Sequence, residues 1–167
     1  AGATKIVGFA LFAPSLPAAD RGLLAFYEDS TRHVNLRVTS TGTITAYRHT
    51  TLLGTSSGAI PSGVWCYIEV KTTIHDSAGA VEVRLNGSTI LNLTSVDTRN
   101  GGSVGTINGL YLLSEGMVTV QSLPATMDDL VVMNTSGSVN NNFLGDVRVQ
   151  ARFPTGNGHY AQWSPVA

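Results

Sequence analysis

The stretch GVWCYIEVKTTIHDSAGAVEVRLNGSTILNLTSVD, residues 63–97, decides the fold class of this chain. Apolar and polar residues alternate through its first run, as they do along a strand with one buried face. The residues of that run predicted to face a core are Cys66, Ile68 and Val70. Turn sequences at Asp76–Gly79 and Asn86-Gly87 then separate a second and a third alternating run. Three short strands joined by two tight turns predict an antiparallel β-meander.

The same alternation extends over most of the chain. Residues 34–38 and 44–46 alternate on either side of Thr41-Gly42, which predicts a hairpin. Further apolar runs typical of strands lie at residues 5–14, 22–29, 107–115, 127–134 and 144–153. No segment keeps a period of 3.6 over the length of a helix, so we expect few or no helices. Many short strands with glycine-rich turns predict an all-β chain, folded as an antiparallel two-sheet β-sandwich.

Composition and charge exclude several classes of function. Charged residues make up 13% of the 167 residues, whereas soluble domains carry roughly 25%. The net charge is −1 and the ten Lys and Arg side chains are scattered, so we predict no nucleic-acid partner. The apolar runs are far shorter than the ~20 residues of a spanning helix, so we predict no membrane span. The single cysteine, Cys66, lies in an apolar run and is predicted to be a buried, inert thiol.

The acidic residues do not show the spacing of a glycosidase active site. Two carboxylates that act on one glycosidic bond must face the same groove, and alternate residues of a strand face the same way. Glu28 and Asp29 are adjacent, as are Asp128 and Asp129, so each pair is expected to point to opposite faces of a regular strand. Glu69 stands alone, and we expect it on a solvated face. We therefore predict no catalytic residues and a protein that is not an enzyme.

Other catalytic motifs lack either their residues or their structural context. The G-x-S-x-G pattern occurs at residues 54–58 and 101–105, but no helix is predicted after either match, so neither predicts the strand-turn-helix elbow of a hydrolase. The sequence has no histidine or cysteine spacing for zinc and no glycine-rich nucleotide loop. The histidines lie near predicted turns and strand ends, where we expect surface positions: His33, His49, His75 and His159.

Oxygen-rich loops offer a calcium site as the alternative to having no cofactor. Ca²⁺ takes roughly 6–8 oxygen ligands. Asp97 and Asn100 lie in one loop, and Asp129 would join them from a neighbouring strand. We favour a structural role for these carboxylates, in which Asp128 and Asp129 open a strand and accept hydrogen bonds from backbone amides. For a sugar ligand, the candidates are Tyr160 and Trp163 in the tail, which would equally serve to dock on a neighbouring subunit.

Residues 63–94 resemble the central hairpins of concanavalin A-like lectin/glucanase jelly rolls, including laminin-G-like domains. The shared features are Trp65 at the start of a strand, the hairpin turn, and a strand that ends at Asn86-Gly87. MDDLVVMNTSG, residues 127–137, resembles a late strand of the same superfamily. Together with SVNNNFLGDVRVQARFPTGNGHYAQWSP, residues 138–165, it is similar to jelly rolls of tailed-bacteriophage virion proteins. The resemblance covers roughly residues 60 to 165.

The resemblance implies a jelly roll over residues 1–153, with its N-terminal strands missing or supplied by another segment, and a C-terminal arm or linker over residues 154–167. It implies a non-enzymatic structural protein on the surface of a phage virion: a capsid decoration protein, head fibre, tail fibre or adhesin. The partners would be other virion proteins and copies of the chain, arranged as a trimer. The alternative is a lectin-type module that binds a host-surface glycan, with calcium as a candidate cofactor. A glycan hydrolase is the third and least favoured interpretation.

Overall fold

The computed structural model describes residues 3–101, 105–114 and 121–148. Within these ranges the chain forms ten β-strands and no helix. In chain order the strands are β1 (Thr4–Phe12), β2 (Arg21–Glu28), β3 (Thr31–Val38), β4 (Thr43–Arg48), β5 (Thr51–Ala59), β6 (Trp65–Thr73), β7 (Gly79–Leu85), β8 (Ser88–Val96), β9 (Gly109–Leu112) and β10 (Thr126–Met133). None of the described residues forms a helix long and apolar enough to cross a membrane.

The strands form two five-stranded sheets that pack face to face. The front sheet has the order β10-β1-β6-β7-β8, and the back sheet has the order β5-β4-β3-β2-β9. Neighbouring strands are antiparallel throughout both sheets. The prediction of an all-β, antiparallel two-sheet sandwich is confirmed.

Two predicted turns connect strands of these sheets. Asn86 and Gly87 join β7 to β8 with φ of 49° and 81°, the left-handed values that a type I′ hairpin turn requires. Gly42, with φ of 82°, joins β3 to β4. A Cβ on Gly42 would lie 2.8 Å from the carbonyl oxygen of Ile60, so space as well as conformation selects glycine there. The turn at Asn86-Gly87 completes the meander β6-β7-β8 that was predicted from residues 63–97.

The core lies between the two sheets. Phe9, Ile68 and Val83 of the front sheet and Phe26 and Leu36 of the back sheet are all fully buried within one apolar cluster. Because side chains alternate along a strand, the intervening residues of β1 and β6 point away from this core. They form the outer face of the front sheet, and the candidate site is built on that face.

Two segments differ from the sequence prediction. Strand β5, Thr51–Ala59, was not predicted, because beyond Leu52 and Leu53 its residues are small or polar and show no apolar alternation. The last predicted strand is wrong over its described part, since residues 144–148 form no strand. The remainder of that strand, the boundary at residue 153 and the arm at residues 154–167 lie outside the described residues.

Two buried titratable side chains test predictions made from the sequence. Cys66 is buried, as predicted, and burial raises the pKa of its thiol to about 11. His33 is also fully buried, so its predicted surface position is wrong. Its Nδ1 accepts the Asn100 N–H at 3.0 Å, so the ring proton lies on Nε2, 3.3 Å from Glu28 Oε2. The Thr106 hydroxyl, 2.9 Å from Glu28 Oε1, is the main cause that lowers the pKa of Glu28; burial opposes it.

Candidate functional site

A pocket of about 300 Å³ opens on the outer face of the front sheet. We call it the front pocket. Its walls come from β1, β6, β10, the β7–β8 turn and the segment that follows β10. The side chains that determine its chemistry are Trp65, Tyr67, Asn86, Asp128, Asp129 and Asp146, together with Arg148.

A β-bulge brings two adjacent carboxylates into the front pocket. Gly8 pairs with Val131 and Ala10 pairs with Asp128, so three steps along β10 match two steps along β1. The extra residue in this interval lets Asp129 adopt φ of 52°, a left-handed conformation that Asp tolerates better than most residues. Asp128 and Asp129 therefore both line the pocket. The prediction that they point to opposite faces is wrong, because it assumed a regular strand.

Tyr67 forms the floor of the front pocket, and Gly8 makes room for it. A Cβ on Gly8 would lie 2.7 Å from the Tyr67 hydroxyl oxygen, so the ring lies across β1 only where the side chain is missing. The Asn86 side-chain oxygen accepts the Tyr67 backbone N–H at 2.7 Å, and the Tyr67 carbonyl accepts the Asn86 N–H at 2.8 Å. The turn at Asn86 is thereby fixed to the floor of the pocket.

Residues 134–148, which we call the covering segment, pass over the outer face and complete the pocket. Glu69 Oε1 accepts the backbone N–H groups of Leu144 and Gly145, both at 2.9 Å. This leaves Glu69 only 2% exposed, so its predicted solvated position is wrong. The segment then places Asp146 and Arg148 in the pocket wall, where Arg148 Nη2 lies 3.1 Å from Asp146 Oδ2.

Trp65 supplies an aromatic surface at the rim of the pocket. Its side chain remains 52% exposed, an unusual position for a large apolar residue. The ring packs at a tilt against Phe12, with centroids 5.5 Å apart, which supports it from one side. The pocket thus combines a supported indole with an amide, three carboxylates and one guanidinium.

The structure separates the residues predicted to bind calcium. Asp129 lines the front pocket on β10, whereas Asp97 follows β8 at the opposite edge of the same sheet. Four strand spacings of about 4.8 Å put these edges roughly 19 Å apart. Asp97 pairs with Arg48, and the backbone N–H of Asn100 donates to His33 Nδ1. Within residues 3–101, 105–114 and 121–148, no three His, Cys, Asp or Glu side chains form a metal-binding group.

The predicted sugar-binding candidates Tyr160 and Trp163 lie outside the described residues. A second pocket, of about 620 Å³, opens at one end of the back sheet. Tyr27 and Tyr111 line it with ring centroids 4.8 Å apart, beside Arg32. It shares no lining residue with the front pocket, so its side chains provide controls for experiments on that site.

Comparison with known proteins gives matches in fold only. No protein-family model and no curated protein matches the chain. A mutant of Trypanosoma rangeli sialidase matches with a TM-score of 0.57 and 12% identity, over 77% of this chain and 20% of that chain. Trypanosoma rangeli sialidase in complex with sialic acid matches with a TM-score of 0.55 and 16% identity, with the same coverage. The chain therefore spans about a fifth of the sialidase.

A mutant of alginate lyase Aly36B in complex with alginate trisaccharide matches with a TM-score of 0.52 and 15% identity, over 78% of this chain and 70% of that chain. The sialidase and the lyase are enzymes, which contradicts the prediction that the chain is not an enzyme, and we withdraw that prediction. None of these comparisons supports a structural role in a phage. At such low identities, they show that the chain shares a β-sandwich fold with glycan-active proteins.

Proposed function

We propose that the chain binds a carbohydrate in the front pocket. The observation that carries this proposal is the exposed Trp65 ring at the rim of a pocket whose walls are polar. A pyranose ring has an apolar C–H face and a rim of hydroxyl groups. An indole face packs against C–H groups through its negative π surface, and the pocket wall supplies partners for the hydroxyls.

The polar groups of the pocket suit hydroxyl donors and acceptors. Asp128, Asp129 and Asp146 accept hydrogen bonds from hydroxyls, and hydrogen bonds to ionised groups are roughly twice as strong as neutral ones. The fold supports the proposal by analogy, since the matched structures include complexes with sialic acid and with alginate trisaccharide. The analogy does not assign a particular sugar or reaction to this chain.

The test is a glycan array followed by calorimetric titration of the best ligand. Trp65→Ala should weaken binding at least about tenfold, which corresponds to about 1.4 kcal/mol. Tyr111→Ala is the matched control, since it removes an exposed aromatic ring that lines the other pocket. Chromatography of the oligosaccharide after incubation shows in the same experiment whether the bound sugar is cleaved.

Two results would overturn this proposal. One is an array without any bound glycan. The other is a ligand whose affinity falls with Tyr111→Ala and not with Trp65→Ala, because it would place the site at the end of the back sheet.

Location on a phage virion and assembly as a homotrimer stay predictions from the sequence resemblance. Sedimentation of the purified chain measures the oligomer, and labelled antibody on intact particles tests the location. The results of these two measurements do not bear on sugar binding, because an adhesin on a virion would bind a glycan as well.

A further inference from the structure

The covering segment, residues 134–148, is attached to the front sheet at few points. Within the described part of the chain, none of its residues forms a helix or strand, and none belongs to the hydrophobic core cluster. Its side chains Val139 and Leu144 remain 74% and 40% exposed. A segment with few buried apolar contacts opens locally at a lower free energy than the strands beneath it.

Three side chains on the outer face of the front sheet hold one short stretch of the covering segment. Glu69 Oε1 accepts two backbone N–H groups of that stretch, both at 2.9 Å. Lys71 Nζ lies 3.3 Å from the side-chain oxygen of Asn142. The guanidinium carbon of Arg84 lies 4.0 Å from the centre of the Phe143 ring. Because all of these contacts fall on one stretch, they form and break together.

Glu69 both favours and opposes the closed position of the covering segment. The bonds to its Oε1 are charge-assisted and therefore stronger than neutral ones. Closure also removes the carboxylate from water, since Glu69 is almost fully buried and its Oε2 has no hydrogen-bond partner among the described residues. A buried charged oxygen without a partner raises the free energy of the closed position. These two effects act in opposite directions, so the closed position is favoured only modestly over an open one.

The neighbouring strands leave Oε2 in this condition. In the sheet register, Glu69 lies between Gly8 on β1 and Arg84 on β7. Gly8 has no side chain, and Arg84 directs its Nε to Glu82 Oε1 at 2.9 Å. Opening of the covering segment gives Glu69 access to water instead.

Opening would remove one wall of the front pocket and leave the rest in place. Asp146 follows Gly145 directly, and Asp146 and Arg148 line the pocket. Trp65 and Asn86 line it from β6 and the β7–β8 turn, so they stay with the sheet. A ligand that contacts both parts binds the closed position more tightly and shifts the equilibrium towards it.

We propose that the covering segment is a lid that opens and closes the front pocket, and that Glu69 is the residue that holds it closed. This inference concerns regulation of the proposed binding site and rests on the proposed function, although the opening itself needs no ligand. Glu69 does not line the pocket, so it is a positioning residue that acts through Asp146 and Arg148. A sugar enters the open pocket and is retained when the lid closes.

Hydrogen exchange of the full chain, followed by nuclear magnetic resonance, tests the opening without a ligand. The amides of Leu144 and Gly145 should exchange through local opening, at rates that low concentrations of urea leave unchanged. Amides that pair β6 with β1 and β7 should exchange through global unfolding and respond to urea. Glu69→Ala should convert a mostly closed lid into a mostly open one, which raises exchange at Leu144 and Gly145 at least about fivefold. Glu69→Gln keeps an acceptor oxygen and should raise it less.

Glu28 provides a matched control on the back sheet. It is also a buried carboxylate that accepts backbone N–H groups from a distant segment, those of Gly105 and Thr106. Glu28→Ala should raise exchange at these two amides and leave exchange in the covering segment unchanged. This comparison separates the loss of one contact from a general loss of stability. Glutamine variants at both positions give the same comparison if an alanine variant does not fold.

A glycan array, run with the wild-type chain and with Glu69→Ala, tests whether the lid acts on the binding site. Glycans that the wild-type chain binds should give a several-fold weaker signal with the variant, because the competent, closed fraction has fallen. Glu28→Ala should leave these signals unchanged.

The possible failures are distinguishable. Exchange at Leu144 and Gly145 that follows global unfolding, or that Glu69→Ala does not change, overturns the lid. Faster exchange with unchanged array signals overturns its control of the pocket while carbohydrate binding stands. An array without any bound glycan overturns the proposed function and the regulation of sugar binding, and the exchange rates then decide only whether the segment opens.

Discussion

Replacing Gly8 by alanine should destabilise the fold through one contact, with the Tyr67 hydroxyl. The new Cβ would lie 2.7 Å from that oxygen, but 3.3 Å and 3.4 Å from the ring carbons Cζ and Cε1. Only the first contact is far below van der Waals distance. The hydroxyl must therefore move by about half an ångström, and overpacking of this kind costs about 1–3 kcal/mol.

The same replacement should be harmless in a Tyr67→Phe background. Without the hydroxyl, the shortest remaining contact is tight but close to normal. Alanine also restricts the unfolded chain more than glycine does, which stabilises a protein by about 0.4–1 kcal/mol where the backbone permits it. Gly8→Ala should thus change sign, from destabilising in the natural sequence to neutral or stabilising beside phenylalanine.

Urea denaturation of the four proteins in this double-mutant cycle measures the effect. We expect unchanged m-values and a coupling energy between the two sites of at least about 1 kcal/mol. Additive effects at the two positions would refute the proposed contact, and with it the position of Tyr67 across β1.

Three further predictions concern single sites. Asp129→Ala should be less stable than Asp129→Asn by about 1 kcal/mol in urea denaturation, because alanine tolerates a left-handed φ of 52° less well. Folding lowers the pKa of Glu28, so the ionised carboxylate stabilises the folded state at pH values above its ordinary pKa of 4.5. This stabilisation is lost as the pH falls through the pKa of the folded state. Glu28→Gln should therefore reduce the dependence of the free energy of unfolding on pH in acid, measured by urea denaturation. Burial raises the pKa of Cys66 from 9.0 to about 11, so between these pH values the thiol ionises in the unfolded chain and stays protonated in the folded one. The free energy of unfolding should therefore fall as the pH rises from 9 towards 11, and Cys66→Ala should reduce that fall.

Features determined by neighbours in the chain could be predicted from the sequence. The hairpin at Asn86-Gly87 follows from two residues that accept positive φ, and the alternation around it identifies the buried face of β7. These signals are local, so the β-meander β6-β7-β8 and the two-sheet sandwich could be predicted from the sequence. Strand β5 shows no such signal. It is rich in Thr, Ser and Gly, so its sequence has too few apolar side chains to reveal which face is buried.

Features determined by distant segments could not be predicted. Glu69 is buried by backbone groups 75 and 76 residues further along the chain, and no local pattern reports that contact. The position of Asp129 depends on pairing between the first and last described strands, whose register only the folded sheet fixes. The front pocket was missed for this reason, although Trp65, Asn86 and Asp129 had each been noted separately.

The bulge in β10 also bears on how copies of the chain behave at high concentration. Among the described strands, β10 is the edge of the front sheet, and its Leu130 and Val132 side chains are 41% and 48% exposed. A long apolar edge strand is a template for sheet extension by other chains and hence for aggregation. The bulge at Asp129 breaks the even spacing of that edge, and the carboxylates of Asp128 and Asp129 add like charges to every copy. The distortion that brings Asp128 and Asp129 into the front pocket therefore also makes β10 a poorer template for pairing with a second copy of the chain.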